Sequence, residues 1–132
     1  MRGIIAPTRG DYTDIEGQGL TMYSNEEIMQ FVNIVVEVSD PDKIILFGSY
    51  AYGNPNDKSD LDVLVIKNGK NISFDDEAKL AVAIFRKRSL HSIGTQYDLF
   101  IRSEGQVRKF AKKGGAMHDA VQRGKVVYER TH

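Results

Sequence analysis

Apolar residues along the chain fall into short blocks whose period switches between helical and extended. Ile28, Phe31, Val32 and Val35 recur at i, i+3, i+4 and i+7, which predicts one apolar face of a helix. Ser24 with Glu27 three residues on is a capping-box pattern that opens it, and Asp40-Pro41 stops it near Val38. Lys43 to Phe47 is then a short apolar run, KIILF, with the length and Ile content of a buried strand. Ser49 to Gly53 is expected to make about one helical turn. Asn54-Pro55-Asn56-Asp57 is turn chemistry, and Asp60 to Ile66 reads as a second strand ended by Asn68-Gly69. Alternation puts Asp60, Asp62 and Leu64 on one face of that strand and Leu61, Val63 and Val65 on the other.

Ser73 is placed to cap a further helix, with Asp75, Asp76 and Glu77 in its first turn and Arg86, Lys87 and Arg88 at its far end. Ala78, Ala81, Val82 and Phe85 share a face and are expected in the core. Gln96 to Ile101 reads as a third strand with Asp98 inside it. Ser103 and Gln106 form another capping-box pattern, opening a short helix expected to turn Val107, Phe110 and Ala111 inward. Gly114-Gly115 breaks it. Met117, Ala120 and Val121 suggest a last helix with Gly124 at its C′ position, and Val126 to Tyr128 a terminal strand or extended tail. Residues 1–20 read as a tail or irregular lead-in, and residues 21–132 as one domain. Strands alternating with helices give an α/β (α+β) class with a small mixed β-sheet flanked by helices.

Composition changes this picture little. The 132 residues suffice for one core, with 41% hydrophobic and 27% charged residues. Absence of cysteine excludes disulfides, thiolate metal sites and Cys nucleophiles, and fits a cytoplasmic protein. No apolar run approaches a membrane span, and the N-terminus lacks a signal-peptide pattern. The zero net charge hides an asymmetry. Residues 1–84 carry 7 Lys+Arg against 14 Asp+Glu, and residues 85–132 carry 11 against 4. Strong bulk nucleic-acid binding is not expected of a neutral chain, though the basic last third offers a docking surface for phosphates or an acidic partner.

The chemistry concentrates in FGSYAYGNPNDKSDLDVLV, Phe47 to Val65. Carboxylates inside apolar strands need a cation, good hydrogen bonds or a proton. Asp60 and Asp62 share one strand face, and Asp98 lies in another strand. If those strands are neighbours, the three carboxylates converge, and a divalent cation relieves their repulsion. Hard oxygen ligands without His or Cys point to Mg²⁺ or Mn²⁺. Two such ions are the usual apparatus for displacement at phosphorus. Gly48 lets a phosphate approach the backbone, Ser49 adds a hydroxyl at the start of a helical turn, and Lys58 offers a point charge for a phosphate oxygen. His91, His118 and His132 are isolated and lack metal-ligand spacing.

Gly-Ser, a spacer, Asp-x-Asp and a later strand carboxylate resemble the signature of the DNA polymerase beta-like nucleotidyltransferase superfamily. Within it the chain is most similar to the minimal nucleotidyltransferases, over roughly Glu26 to Arg130. FGSYAYG, SDLDVLVI, YDLFI and AVQRGKVVYER carry the likeness. The resemblance implies the nucleotidyltransferase fold, with Gly48 and Ser49, joined by Lys58 and Ser59, at the nucleotide. It implies Asp60, Asp62 and Asp98 as catalytic residues and metal ligands for Mg²⁺. It further implies transfer of a nucleoside monophosphate, AMP from ATP, onto a hydroxyl. Relatives of this kind pair with a helical HEPN-type protein, in several cases an RNase toxin that the nucleotidyltransferase neutralises as antitoxin by adding AMP. The alternatives are a non-catalytic binding partner of a HEPN protein and a subunit acting on a small-molecule or RNA acceptor. The chain departs from the family pattern at Tyr50 and Tyr52, where many relatives carry Arg; both tyrosines are expected to pack.

Overall fold

The computed structural model describes residues 2–4, 23–56, 59–89 and 96–131. Its elements are β1 (Arg2–Ile4), α1 (Asn25–Ser39), β2 (Lys43–Phe47), α2 (Ser49–Tyr52), β3 (Leu61–Ile66), α3 (Phe74–Ser89), β4 (Tyr97–Arg102), α4 (Glu104–Ala111), α5 (Gly115–Arg123) and β5 (Lys125–Arg130). The five strands form one sheet in the order β1-β5-β2-β3-β4. Only β3 and β4 run parallel; the other neighbours are antiparallel, so the sheet is mixed as expected. Arg2–Ile4, within the stretch expected to be an irregular lead-in, instead pairs with β5 as an edge strand. Three residues are too few for a period to show in the sequence.

Alternation along β2 and β3 divides the core in two. Ile44, Leu46, Leu61, Val63 and Val65 meet α1 and α3, together with Phe31, Val35 and Ile84. Ile45, Phe47, Leu64 and Ile66 meet α4 and α5 through Val107, Met117 and Ala120. Each such large side chain, fully buried, contributes about 1.5–3 kcal/mol. Asp62 shares the second face, because it stands opposite Phe47 and two residues before Leu64.

Both capping boxes form. Ser24 accepts from Glu27 N at 3.1 Å and Ser103 from Gln106 N at 3.1 Å, and the Glu27 and Gln106 side chains accept in return from the cap N–H groups. Helix α1 stops at Asp40, in the left-handed region at φ 47°, which Pro41 makes preferable to α backbone. Gly124 is extended rather than left-handed, at φ −70° and ψ 163°. It is glycine for space: a Cβ there would overlap the Ala120 carbonyl and Ile45 Cγ2, where α5 closes on β2.

The facing of α3 corrects an expectation. Ala78, Val82 and Phe85 point outward, the last two 50% and 51% exposed. The inward face is Leu80, Ile84 and Arg88, with Glu77 at its start. Glu77 sets this rotation: its carboxylate accepts from Ile101 N at 2.9 Å and pairs with Arg102, satisfying the open side of edge strand β4. On α4, Val107 is buried as expected and Ala111 is partly buried, but Phe110 is 38% exposed.

Candidate active site

Strand β2 delivers the chain to Gly48, whose backbone (φ 76°, ψ −158°) L-residues rarely adopt. A Cβ there would also overlap Asp62 Oδ2 and lie 3.0 Å from Asp62 Cγ. The Asp62 carboxylate therefore lies directly against the glycine. After it, α2 is a single turn, held by Ala51 N and Tyr52 N donating to Gly48 O at 3.0 and 3.2 Å and Gly53 N donating to Ser49 O at 3.0 Å. The leading N–H groups of such a turn point away from its body, as a phosphate requires. Ser49, half-buried, stands first in it.

Tyr50 pins the turn from below. It is fully buried, its hydroxyl accepts from Tyr23 N at 3.2 Å, and the two rings meet edge to face at 5.7 Å. Burial raises the Tyr23 hydroxyl well above its ordinary range. The expectation that Tyr50 packs is met. Tyr52 packs too, but it also holds a cation: the Arg123 guanidinium lies 3.8 Å from its ring centroid. Arg123 is 71 residues downstream, at the end of α5, so no local pattern singles it out.

Among the carboxylates, Asp62 and Asp98 stand side by side on parallel strands β3 and β4, at the same level and on the same face. Burial first, then the charges of Asp98 and Asp60, push the Asp62 carboxyl up from 3.8 to about 6. Asp60 is exposed, one residue ahead of β3, and acts on Asp62 through its charge. Among the described residues no three His, Cys, Asp or Glu side chains are gathered as a metal-holding group. The structure thus brings Asp62 and Asp98 together and leaves Asp60 at the rim. The pair still fits a hard divalent cation: two adjoining carboxylates, one reluctant to ionise beside the other, are relieved by a cation between them.

Ser59 accepts from Asn56 N at 2.9 Å and closes the turn that leads into Asp60; its hydroxyl proton remains available to donate. Lys58 lies outside the described residues, as do His91 and His132, while His118 is exposed. Among the described residues no helix is long and apolar enough to cross a membrane.

Asp62 and Asp98 lie at one end of the sheet face on which α4 and α5 pack. Phe47 and Phe100 lie with rings 5.9 Å apart, next in line to Asp62 and Asp98.

Comparisons with known proteins bear on the fold and the family. A Sulfolobus solfataricus protein described as a nucleotidyltransferase superposes with a TM-score of 0.52 at 19% identity, over 76% of each chain, a likeness of fold. A toxin–antitoxin structure with AMP-PNP superposes with a TM-score of 0.49 at 18% identity, over 80% of this chain and 73% of that one. Comparison with curated proteins finds no match. The family described as "Polymerase beta, Nucleotidyltransferase" matches residues 29–132, a span that includes the glycine turn and all three aspartates. With its fold and most of its length accounted for in this way, the chain belongs to the polymerase beta nucleotidyltransferase family.

Proposed function

We propose that the protein is a Mg²⁺-dependent nucleotidyltransferase that moves a nucleoside monophosphate, AMP from ATP, onto an acceptor hydroxyl and releases pyrophosphate. The observation that carries this is the abutment of three groups: Asp62 and Asp98 paired across β3 and β4, with Gly48 closed against the Asp62 carboxylate. Gly48 and Ser49 hold the triphosphate with backbone N–H groups and the hydroxyl. Arg123, braced on Tyr52, supplies a cation beside that turn, where Tyr50 cannot. Asp62 and Asp98, joined by Asp60, would hold Mg²⁺ or Mn²⁺, two ions in the full site. When bound, such ions supply charge neutralisation at the reacting phosphate and at the departing pyrophosphate. Asp98, the more exposed of the pair, takes the acceptor's proton as its oxygen bonds to the α-phosphorus.

The acceptor in this reading is a hydroxyl of a helical HEPN-type protein, the protein acting as its antitoxin in the cytoplasm. Incubation with labelled ATP, Mg²⁺ and the neighbouring gene product tests it. Label on that partner, abolished in Asp60→Ala/Asp62→Ala, is the expected result. No label, with the partner's toxicity still neutralised by the double variant, would sink it.

A second reading has one observation in its favour. Tyr50 is spent on packing, so the turn lacks a cation that many relatives carry there. The protein would then neutralise its partner by binding alone, and the aspartate double variant would neutralise as well as the parent.

A further inference from the structure

Arg88, near the end of α3, is 4% exposed, and among the described residues it is the one charged side chain that is buried. A guanidinium keeps its charge in the interior, so it is costly there unless suitable neighbours receive it. Two aromatic rings are among those neighbours. Arg88 Cζ lies 4.3 Å from the centroid of Phe85 and 5.9 Å from that of Tyr97. An aliphatic residue would pack on the sheet without the cost, as Ile84 does one turn earlier.

Tyr97 gives the buried cation a use. It is the first residue of β4, and Asp98 follows it. β4 is an edge strand, joined to the sheet through β3. Successive side chains leave opposite faces of a strand, so holding the Tyr97 ring on one face fixes the height at which Asp98 leaves the other. Both flanking helices hold that ring: it meets Phe31 of α1 at 4.7 Å and faces Arg88 of α3. α3 grips the strand again toward its far end, where the Glu77 carboxylate accepts from Ile101 N at 2.9 Å. At about 100° per residue, Glu77, Ile84 and Arg88 fall within roughly 40° of arc, along one line of the helix. From Glu77 to Arg88 the helix rises about 16 Å, and from Ile101 to Tyr97 the strand spans about 13 Å. α3 thus lies antiparallel along β4 and holds it at two points.

We propose that Arg88 is a positioning residue for Asp98, a role that rests on Asp98 being a carboxylate of the metal site. Stacked on Phe85 and Tyr97, it keeps the leading end of β4 at the level that sets Asp98 beside Asp62. The planar guanidinium matters, because it reaches two rings at once where a compact ammonium does not.

Native-state hydrogen exchange tests the strand, and Mn²⁺ binding, followed by the spin resonance of the free ion, tests the site. Ile101 N turns outward to Glu77, so by alternation Asp98 N faces β3 and reports opening of that pair. Amides of the central strand β2 report global unfolding. Arg88→Met keeps the packing of the stem and removes the guanidinium. It is expected to raise the exchange of Asp98 relative to β2 at least about tenfold, and the Mn²⁺ dissociation constant at least about fivefold. Arg88→Lys falls between parent and Arg88→Met in both. Phe85→Leu, at a half-exposed ring, moves both in the same direction and serves if Arg88→Met fails to fold. Leu80→Ala, on the same inward face, lowers stability but leaves the exchange ratio and Mn²⁺ affinity within about twofold of the parent. An unchanged ratio or unchanged Mn²⁺ affinity in Arg88→Met overturns the proposal. So does Leu80→Ala moving both readouts as far as Arg88→Met, because Arg88 would then be one more packing residue. A parent that binds no Mn²⁺ removes the metal reading of Asp98 instead, and the exchange ratio alone then decides whether Arg88 holds the strand.

Discussion

Asp62 should make the protein less stable than it needs to be, and replacing it with Asn should show by how much. Its carboxyl titrates near 6 in the fold, against an ordinary value of 3.8. At about 1.4 kcal/mol per pH unit that gap corresponds to about 3 kcal/mol. Asp62 is only partly buried, and solvent screening reduces the figure to about 1–1.5 kcal/mol. The sign follows from proton binding. Between pH 4 and 6 the folded chain holds a proton on Asp62 that the unfolded chain has released. Stability from this group is therefore full below pH 4 and lost as pH rises through 6. Urea denaturation of parent and Asp62→Asn at pH 3 and pH 8 isolates the effect, because other titrations cancel in the difference. The variant should be more stable by about 1–1.5 kcal/mol at pH 8 and nearly equal at pH 3. Mg²⁺ should raise the midpoint of the parent and leave the variant's almost unchanged. Equal stabilisation at both pH values, or destabilisation at pH 8, would refute the account of Asp62 as a carboxyl held reluctant to ionise by burial and by its acidic neighbours.

Further substitutions probe the turn around that carboxylate. Gly48→Ala should cost about 2–4 kcal/mol, from positive-φ strain plus overlap with Asp62, and abolish nucleotide transfer; thermal denaturation and a labelled-ATP assay check both. Tyr50→Phe should cost about 1 kcal/mol, because Tyr23 N loses its buried acceptor. Arg123→Ala should raise the KM for ATP several-fold at unchanged stability, and a Lys replacement should recover less than half of the loss, since Lys stacks poorly on Tyr52. Unchanged steady-state kinetics in both Arg123 variants would remove that residue from the site.

Local patterns carried most of the site and much of the fold. Gly48-Ser49 and Asp60-x-Asp62 are legible because a turn and a strand face are set by neighbours in sequence. Asp98 was legible as a carboxylate in an apolar strand, but its level beside Asp62 is decided by the parallel pairing of β3 with β4, which no spacing encodes. Asp60 was assigned to the strand face with Asp62, yet β3 begins at Leu61, leaving Asp60 free of the ladder that fixes the pair. Helix α3 shows why periodicity can choose the wrong side. Two apolar lines run along it, and the choice falls to Glu77, whose partners on β4 lie 24 and 25 residues away. Arg123 was invisible for the same reason, being joined to Tyr52 only by the packing of α5 on β2.

The central claim is that Gly48, Asp62 and Asp98 form one site for a nucleotide and a divalent cation. Isothermal titration with a non-hydrolysable ATP analogue, with and without Mg²⁺, tests it on the parent, Asp62→Asn and Asp98→Asn. Binding by the parent that needs Mg²⁺, weakened at least about tenfold in each variant, is the predicted result. Equal affinity without Mg²⁺, or affinity untouched by either substitution, would contradict it.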